Sequence, residues 1–181
     1  MAELWDVYDV NKKITGKLVE RETYKFQKGE YHLITMAIIM NSQKQILIAK
    51  RSAKKKKSPL KWELSGGGVR AGETSLQAIL RELEEEIGLK FSEKDAIFFK
   101  ESKAEEGEGA GVFKDFWLFK SDVKIEDITF PDQEAIDAKW VTIDELIKMI
   151  ENDEIISGQD FGRKDYELYR FKIDMSQIHW K

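Results

Sequence analysis

The sequence of this chain predicts an α/β (α+β) fold built on a mixed central β-sheet, and three observations support that prediction. Runs rich in β-branched and aromatic residues recur between turn-forming residues. Two pairs of those runs are joined so closely that they must lie antiparallel. Two further segments carry the 3.6-residue periodicity of amphipathic helices. Close-set hairpins exclude an all-parallel sheet, and the helices need a sheet face on which to bury their apolar stripes.

Taken in order, residues 5–9 (WDVYD) and 17–21 (KLVER) flank a turn at Asn11, Lys12 and Lys13, which predicts an N-terminal hairpin as a lead-in over about 1–28. Tyr31–Met40 (YHLITMAIIM) is almost continuously apolar, as a central strand covered on both faces would be. Residues 41–44 (NSQK) turn the chain into 45–50 (QILIAK), the expected hairpin partner of that strand. Ser65, Gly66, Gly67, Gly68 and Gly72 predict a backbone loop in which a Cβ would be unwelcome. A helix then starts at Glu73 or Thr74 and ends at Gly88, a natural left-handed cap. Strands are expected at 96–100, 112–119 and 138–141. Thr142 with Glu145 forms a capping box for a second helix over residues 143–151. Residues 158–181 read equally as a helix end or a strand. No repeat or linker interrupts the 181 residues, which are read as a single domain.

Composition narrows the function classes. A hydrophobic fraction of 41% and a charged fraction of 35% describe an ordinary globule. No apolar stretch approaches the roughly 18 residues a membrane span requires, and the start MAELWDVYD lacks the features of a secretory signal. Cysteine is absent, which excludes disulfides, thiolate metal sites and cysteine nucleophiles and agrees with a cytoplasmic protein. A net charge of −4 offers no broad basic field for a nucleic-acid polymer.

The first helix carries the chemistry. At 100° per residue, Leu76, Ile79, Leu80, Leu83 and Ile87 form one apolar stripe, and Glu82, Glu85 and Glu86 fall together on the adjoining arc. Glu84 and Gln77 point to water. Like charges at this spacing repel by a few tenths of a kcal/mol per pair. A hard divalent cation would compensate, since Mg²⁺ prefers oxygen ligands. The plain alternative is a solvated Glu-rich face.

Residues 67–89 read GGVRAGETSLQAILRELEEEIGL: Gly67, five residues, Glu73, seven residues, then Arg81-Glu82-Leu83-x-Glu85-Glu86-x-Gly88-Leu89. This fills every position of the Nudix box, and the chain resembles the Nudix family, which hydrolyses nucleoside diphosphates linked to another group. The resemblance implies an α/β/α sandwich and a Mg²⁺- or Mn²⁺-dependent pyrophosphohydrolase. It implies metal binding by Glu82, Glu85 and Glu86, with the Gly66 carbonyl as an extra ligand. Catalysis would involve Glu85, Glu86 or Glu134, and Gly67, Glu73, Arg81 and Gly88 would serve as scaffold. A guanidinium suits the scaffold role because its donor fork is rigid and permanently charged. The expected partner is a small nucleoside diphosphate derivative, and homodimers are frequent in the family. Most of its sequences carry proline where this chain has Ser65.

The resemblance extends beyond the box. WDVYD-x-N at 5–11, GEYH at 29–32 and LIAKRS at 47–52 are similar to the branch that includes isopentenyl-diphosphate isomerase. That isomerase uses a cysteine and a histidine near the glycine loop. With no cysteine here, hydrolysis is the expected reaction, and an isomerase-like enzyme or a non-catalytic ligand-binding module are the alternatives. His32 stands where the isomerase has a metal-binding histidine, although a lone histidine at a strand edge is more often structural. Glu134, six residues before Trp140, is either a further acid at the metal centre or a surface acid before a strand. Arg51 lies in the basic run KRSAKKKKSPLK at 50–61 and is the candidate for a geometric phosphate contact, while Lys54–Lys57 reads as a solvated block. The acidic, glycine-rich residues 105–111 form a lid or a long hairpin turn. Trp5, Tyr8, Phe116, Trp117 and Phe119 read as core or hairpin packing.

Overall fold

The computed structural model describes residues 2–106 and 110–156. Residues 158–181 and the centre of the acidic segment lie outside the described residues, so the expectations made there have no counterpart below. The strands are β1 (Leu4–Tyr8), β2 (Ile14–Glu20), β3 (Tyr31–Met40), β4 (Ile46–Arg51), β5 (Trp62–Glu63), β6 (Gly66–Gly68), β7 (Ile97–Glu106), β8 (Ala110–Lys120) and β9 (Ala135–Val141). The helices are α1 (Ser75–Ile87) and α2 (Ile143–Glu151).

β3 is the axis of a mixed sheet. It pairs in parallel with β8 along its whole length, and β8 pairs antiparallel with β7. Alternation along β3 assigns its residues to two cores. Ala37 and Ile39 join Leu47, Ala49 and, from α1, Ile79, Leu83 and Ile87. Ile38 and Met40 join Ile46, Ile48 and, from α2, Leu146, Met149 and Ile150. The two helices therefore cover opposite faces, giving the α/β/α arrangement, and the apolar run of β3 is explained by burial on both sides.

The hairpin expected between β3 and β4 survives only at its mouth, where Met40 faces Ile46. β6 takes the edge of β3 opposite β8, pairing Gly66, Gly67 and Gly68 with Met36, Thr35 and Ile34. β4 accordingly splays away and spends its hydrogen bonds on β5 and β9. The glycine strand thus occupies the cleft between two diverging strands.

Both helix starts have reciprocal caps. Thr74 accepts from the Gln77 N–H at 3.2 Å, and Gln77 Oε1 accepts from the Thr74 N–H at 2.9 Å. Thr142 and Glu145 make the same pair at α2. Gly88 closes α1 at φ +68°. The N-terminal hairpin is pinned to the sheet by Lys12, whose ammonium reaches Asp115 at 2.5 Å and Glu101 at 2.6 Å. Asp6 accepts from the Gly72 N–H at 2.8 Å, which fixes the loop entering α1. At the described ends of the acidic segment, Glu105 and Glu106 face Gly111 and Ala110 across the β7–β8 ladder.

Candidate active site

Glu86 lies at the bottom of the site. α1 turns its carboxylate towards β6, where the residue is 5% exposed and accepts from the Gly66 N–H at 3.1 Å. Burial raises its proton affinity well above the ordinary carboxylate range, the charges of Glu63 and Glu82 raise it further, and the Gly66 N–H and Lys55 oppose the shift. Gly66 itself sits at φ +154°, and a Cβ there would fall 2.9 Å from Met36 Cα. Glycine is what lets β6 approach β3 this closely.

One turn earlier, Glu82 rests against the backbone of Gly67, where a Cβ would stand 2.5 Å from its carboxylate oxygen. Burial raises the pKa of Glu82, with Arg81 opposing. Arg81 is the hub of this side. It grips both oxygens of Glu73 at 2.8 and 2.9 Å, then reaches Glu82 at 2.7 Å, Glu85 at 3.0 Å and the Gly68 carbonyl at 3.2 Å. Partial burial would raise the pKa of Glu73, but the Arg81 fork outweighs it and holds the group below its usual value. Glu85, 40% exposed, stands at the rim and also accepts from Arg70 at 3.3 Å.

The opposite wall is made from two loops. The Ser52 N–H donates to the Glu134 carbonyl at 2.8 Å, and Lys54 reaches Gln133 at 3.4 Å. The ammonium of Lys55 contacts the Glu134 carboxylate. The Asp132 N–H donates to the Glu85 carbonyl at 3.3 Å, tying this wall to the end of α1. Arg51 directs one guanidinium nitrogen to both oxygens of Glu63, at 2.9 and 2.8 Å, and the rest of its fork to the Lys57 carbonyl at 3.3 and 3.0 Å. These contacts tie Arg51 to Glu63 and to the loop after β4.

The sequence does not mark Glu63 or Asp132, and it groups Lys55 with the solvated lysine block. Burial raises the pKa of Glu63 against the pull of Arg51, and places its charge beside Glu86. Lys55 is depressed by burial and by Arg51, with Glu86, Glu63 and Asp132 pulling the other way. Burial likewise raises Asp132. Glu63 could have been noticed as an acid within KWEL, two residues before the glycine loop, beside an arginine on the preceding strand. The lysine block does not behave as one solvated unit, since the side chain of Lys56 is 88% exposed but that of Lys55 only 20%. His32 is not gathered into the carboxylate cluster: it stacks on Trp5 at 4.8 Å and packs against Phe26 at 5.1 Å.

These oxygen donors suit a hard divalent ion in type and charge. As they stand, no three Asp, Glu or His side chains among the described residues converge on one point. Arg81 engages Glu82 and Glu85, while Arg51 engages Glu63. Loading a cation therefore requires the carboxylates to exchange partners.

A family model described as NUDIX domain matches residues 30–159. An uncharacterized Nudix hydrolase of Listeria monocytogenes is 36% identical over 155 residues, covering 85% of this chain and 88% of its own. Among solved structures, DR0079 of Deinococcus radiodurans superposes with a TM-score of 0.68 at 20% identity, covering 87% of this chain and 95% of its own. A bifunctional NMN adenylyltransferase/ADP ribose pyrophosphatase of Francisella tularensis, complexed with AMP and a Mn ion, superposes with a TM-score of 0.58 at 21% identity, covering 86% of this chain and 43% of its own.

Proposed function

The chain belongs to the Nudix family of hydrolases, and we propose that it is a divalent-metal-dependent pyrophosphohydrolase that cleaves the diphosphate linkage of a small nucleoside diphosphate derivative. The observation that carries this reading is the burial of Glu86 against the glycine strand, with Glu82 and Glu85 on the same helical edge. An acid kept this far from water, with little neutralising charge, is poorly explained as surface decoration.

Glu82, Glu85 and Glu86 would hold Mg²⁺ or Mn²⁺, with the Gly66 carbonyl as a further oxygen donor. Such an ion, when bound, offsets the diphosphate charge and acidifies water. The protein's own contribution is mostly positioning, as in phosphoryl transfer generally. Gly66 and Gly67 leave room for the carboxylates to lie against the backbone. Arg81 and Glu73 fix the loop to the helix, so that the backbone beneath the acids stays in place while the carboxylates exchange partners. Glu85 and Glu134 stand at the exposed rim, where one of them takes the proton of the attacking water. A nucleotide-derived substrate accords with the ADP-ribose activity named for the Francisella structural relative. A cytoplasmic location belongs to the same reading, from the absence of cysteine.

The test is a phosphate-release screen over nucleoside diphosphate derivatives, including ADP-ribose and dinucleoside polyphosphates, with and without Mg²⁺. An added phosphatase would make cleavage to two monophosphates visible. Wild type should turn over at least one class only when the ion is present, and Glu86→Gln should lose about 100-fold or more, as removal of a group acting in the transition state typically does. A loss under about tenfold in folded Glu86→Gln protein would remove that residue from the mechanism.

A further inference from the structure

We infer that Lys55 is a tethered counter-ion of this acidic site, which a divalent ion displaces and which then pairs with a phosphate oxygen of the substrate. The inference rests on the metal-dependent reading above and adds a residue and a coupling to it.

Three observations support it. Lys55 turns inward from a run of lysines whose next member points to solvent: its side chain is 20% exposed against 88% for Lys56. Its ammonium contacts Glu134 on the adjoining loop, and its charge acts on Glu86, Glu63 and Asp132 as well. The arginines that touch the cluster are already committed, Arg81 to Glu73, Glu82 and Glu85, Arg70 to Glu85 and Glu3, and Arg51 to Glu63 and the Lys57 carbonyl. Lys55 is thus a cation whose field meets Glu86 while its own tether is a flexible stem on a loop outside the core clusters.

The physics then gives opposite signs for the two ligands. A divalent ion arriving among these carboxylates meets an ammonium already neutralising part of their charge, and must repel it from the site. The expelled ammonium stays within reach of the mouth, because its loop is tied to the 131–134 segment through Ser52 and Lys54. There it can meet an incoming diphosphate as a compact point charge. Lys55 therefore weakens the binding of metal alone and strengthens the binding of diphosphate once metal is present. That is a coupling between two ligands through one side chain.

The experiment measures Mn²⁺ binding to the full chain by electron paramagnetic resonance of the free ion, without substrate, for wild type, Lys55→Gln and Lys56→Gln. Lys55→Gln should bind Mn²⁺ about 5- to 10-fold more tightly than wild type, a size usual for coupling free energies, and Lys56→Gln should stay within about twofold. With Mn²⁺ saturating, calorimetric titration with imidodiphosphate should show the reverse order, with wild type binding about fivefold more tightly than Lys55→Gln. If wild type binds Mn²⁺ and Lys55→Gln binds it equally or less tightly, the counter-ion role is overturned while the metal-dependent reading stands. If wild type binds no Mn²⁺, both are overturned.

Discussion

The two ends of the acidic edge of α1 are built in different ways. At the Arg81 end, every carboxylate has a guanidinium partner: Glu73 is gripped through both oxygens, and Glu82 and Glu85 share one nitrogen. At the Glu86 end, the most buried carboxylate of the cluster has one backbone N–H and a lysine on a loop. A buried pair with good geometry is costly to break, because removing one partner strands the other. A buried acid with little compensation already opposes folding, and removing its charge brings relief. The first end should therefore register in stability and the second in activity, and mutations can pull the two apart.

The largest expected effect is at Glu86. Glu86→Gln should lose activity by about 100-fold or more, yet the metal-free variant should be at least as stable as wild type. The sign follows from the raised pKa. In the folded state Glu86 holds its proton to higher pH than in the unfolded state, where the group returns to the ordinary carboxylate range. Between those two values the native state binds more protons, so stability falls as pH rises through that window. Glu63 and Glu82 are shifted in the same direction. Urea unfolding of apo protein at pH 5 and pH 8 checks this: the stability advantage of Glu86→Gln over wild type should be larger at pH 8. An advantage that is equal or smaller there would contradict the burial argument.

Next is Arg81→Ala, which leaves Glu73, Glu82 and Glu85 facing one another without their common partner. It should cost about 3 kcal/mol or more, the scale for breaking a buried ion pair, read from the urea midpoint of the metal-free chain. Arg81→Lys should recover only part of it, because an ammonium cannot span both oxygens of Glu73 while also reaching Glu82. Full stability in Arg81→Ala would erase the contrast between the two ends.

Much of this contrast was legible in the sequence, for a physical reason. The period of α1, its glycine stop and the alternation of β3 are local properties, written within a few residues of where they act. The capping box at Thr142 and the box spacing from Gly67 to Leu89 are local in the same sense. What escaped the reading depends on distant competition. Residues 45–50 look like a partner for β3, and only the arrival of the glycine strand, with no side chains to hold it off, takes that edge away. Glu63 on β5, and Lys55 and Asp132 on two separate loops, matter because the fold brings them to the acidic edge of α1, and no periodicity in their own segments announces it. Charge alone marks Arg51, and only the fold shows its donors engaging an acid on the next strand.

The glycines sharpen the comparison further. At Gly67, a Cβ meets the end of the flexible Glu82 side chain, which can move aside. Gly67→Ala should therefore displace Glu82, lowering activity by about tenfold while changing stability by about 1 kcal/mol or less. At Gly66 the same methyl meets the backbone of β3, and the φ of +154° disfavours any side chain. Gly66→Ala should cost about 2 kcal/mol or more, because neither strand can yield without breaking the β3–β6 ladder. Equal stability losses at both positions would mean that Glu82 is as rigidly held as the backbone, against the partner exchange that metal loading requires.

The smallest effect lies on the other face of the sheet. α2 packs its Leu146, Met149 and Ile150 against Ile38, Met40, Ile46 and Ile48. Its N-terminus is closed by Thr142, which accepts from the Glu145 N–H at 3.2 Å while Glu145 returns a carboxylate to the Thr142 N–H at 2.7 Å. Thr142→Ala removes one arm of that cap and should cost about 1 kcal/mol, with turnover at saturating metal unchanged. If activity instead falls with stability, the two faces are coupled through β3 and β4, and α2 belongs to the catalytic scaffold. If both hold steady, Glu145 alone secures the helix start, and the Thr142→Ala/Glu145→Ala double variant should expose the full loss.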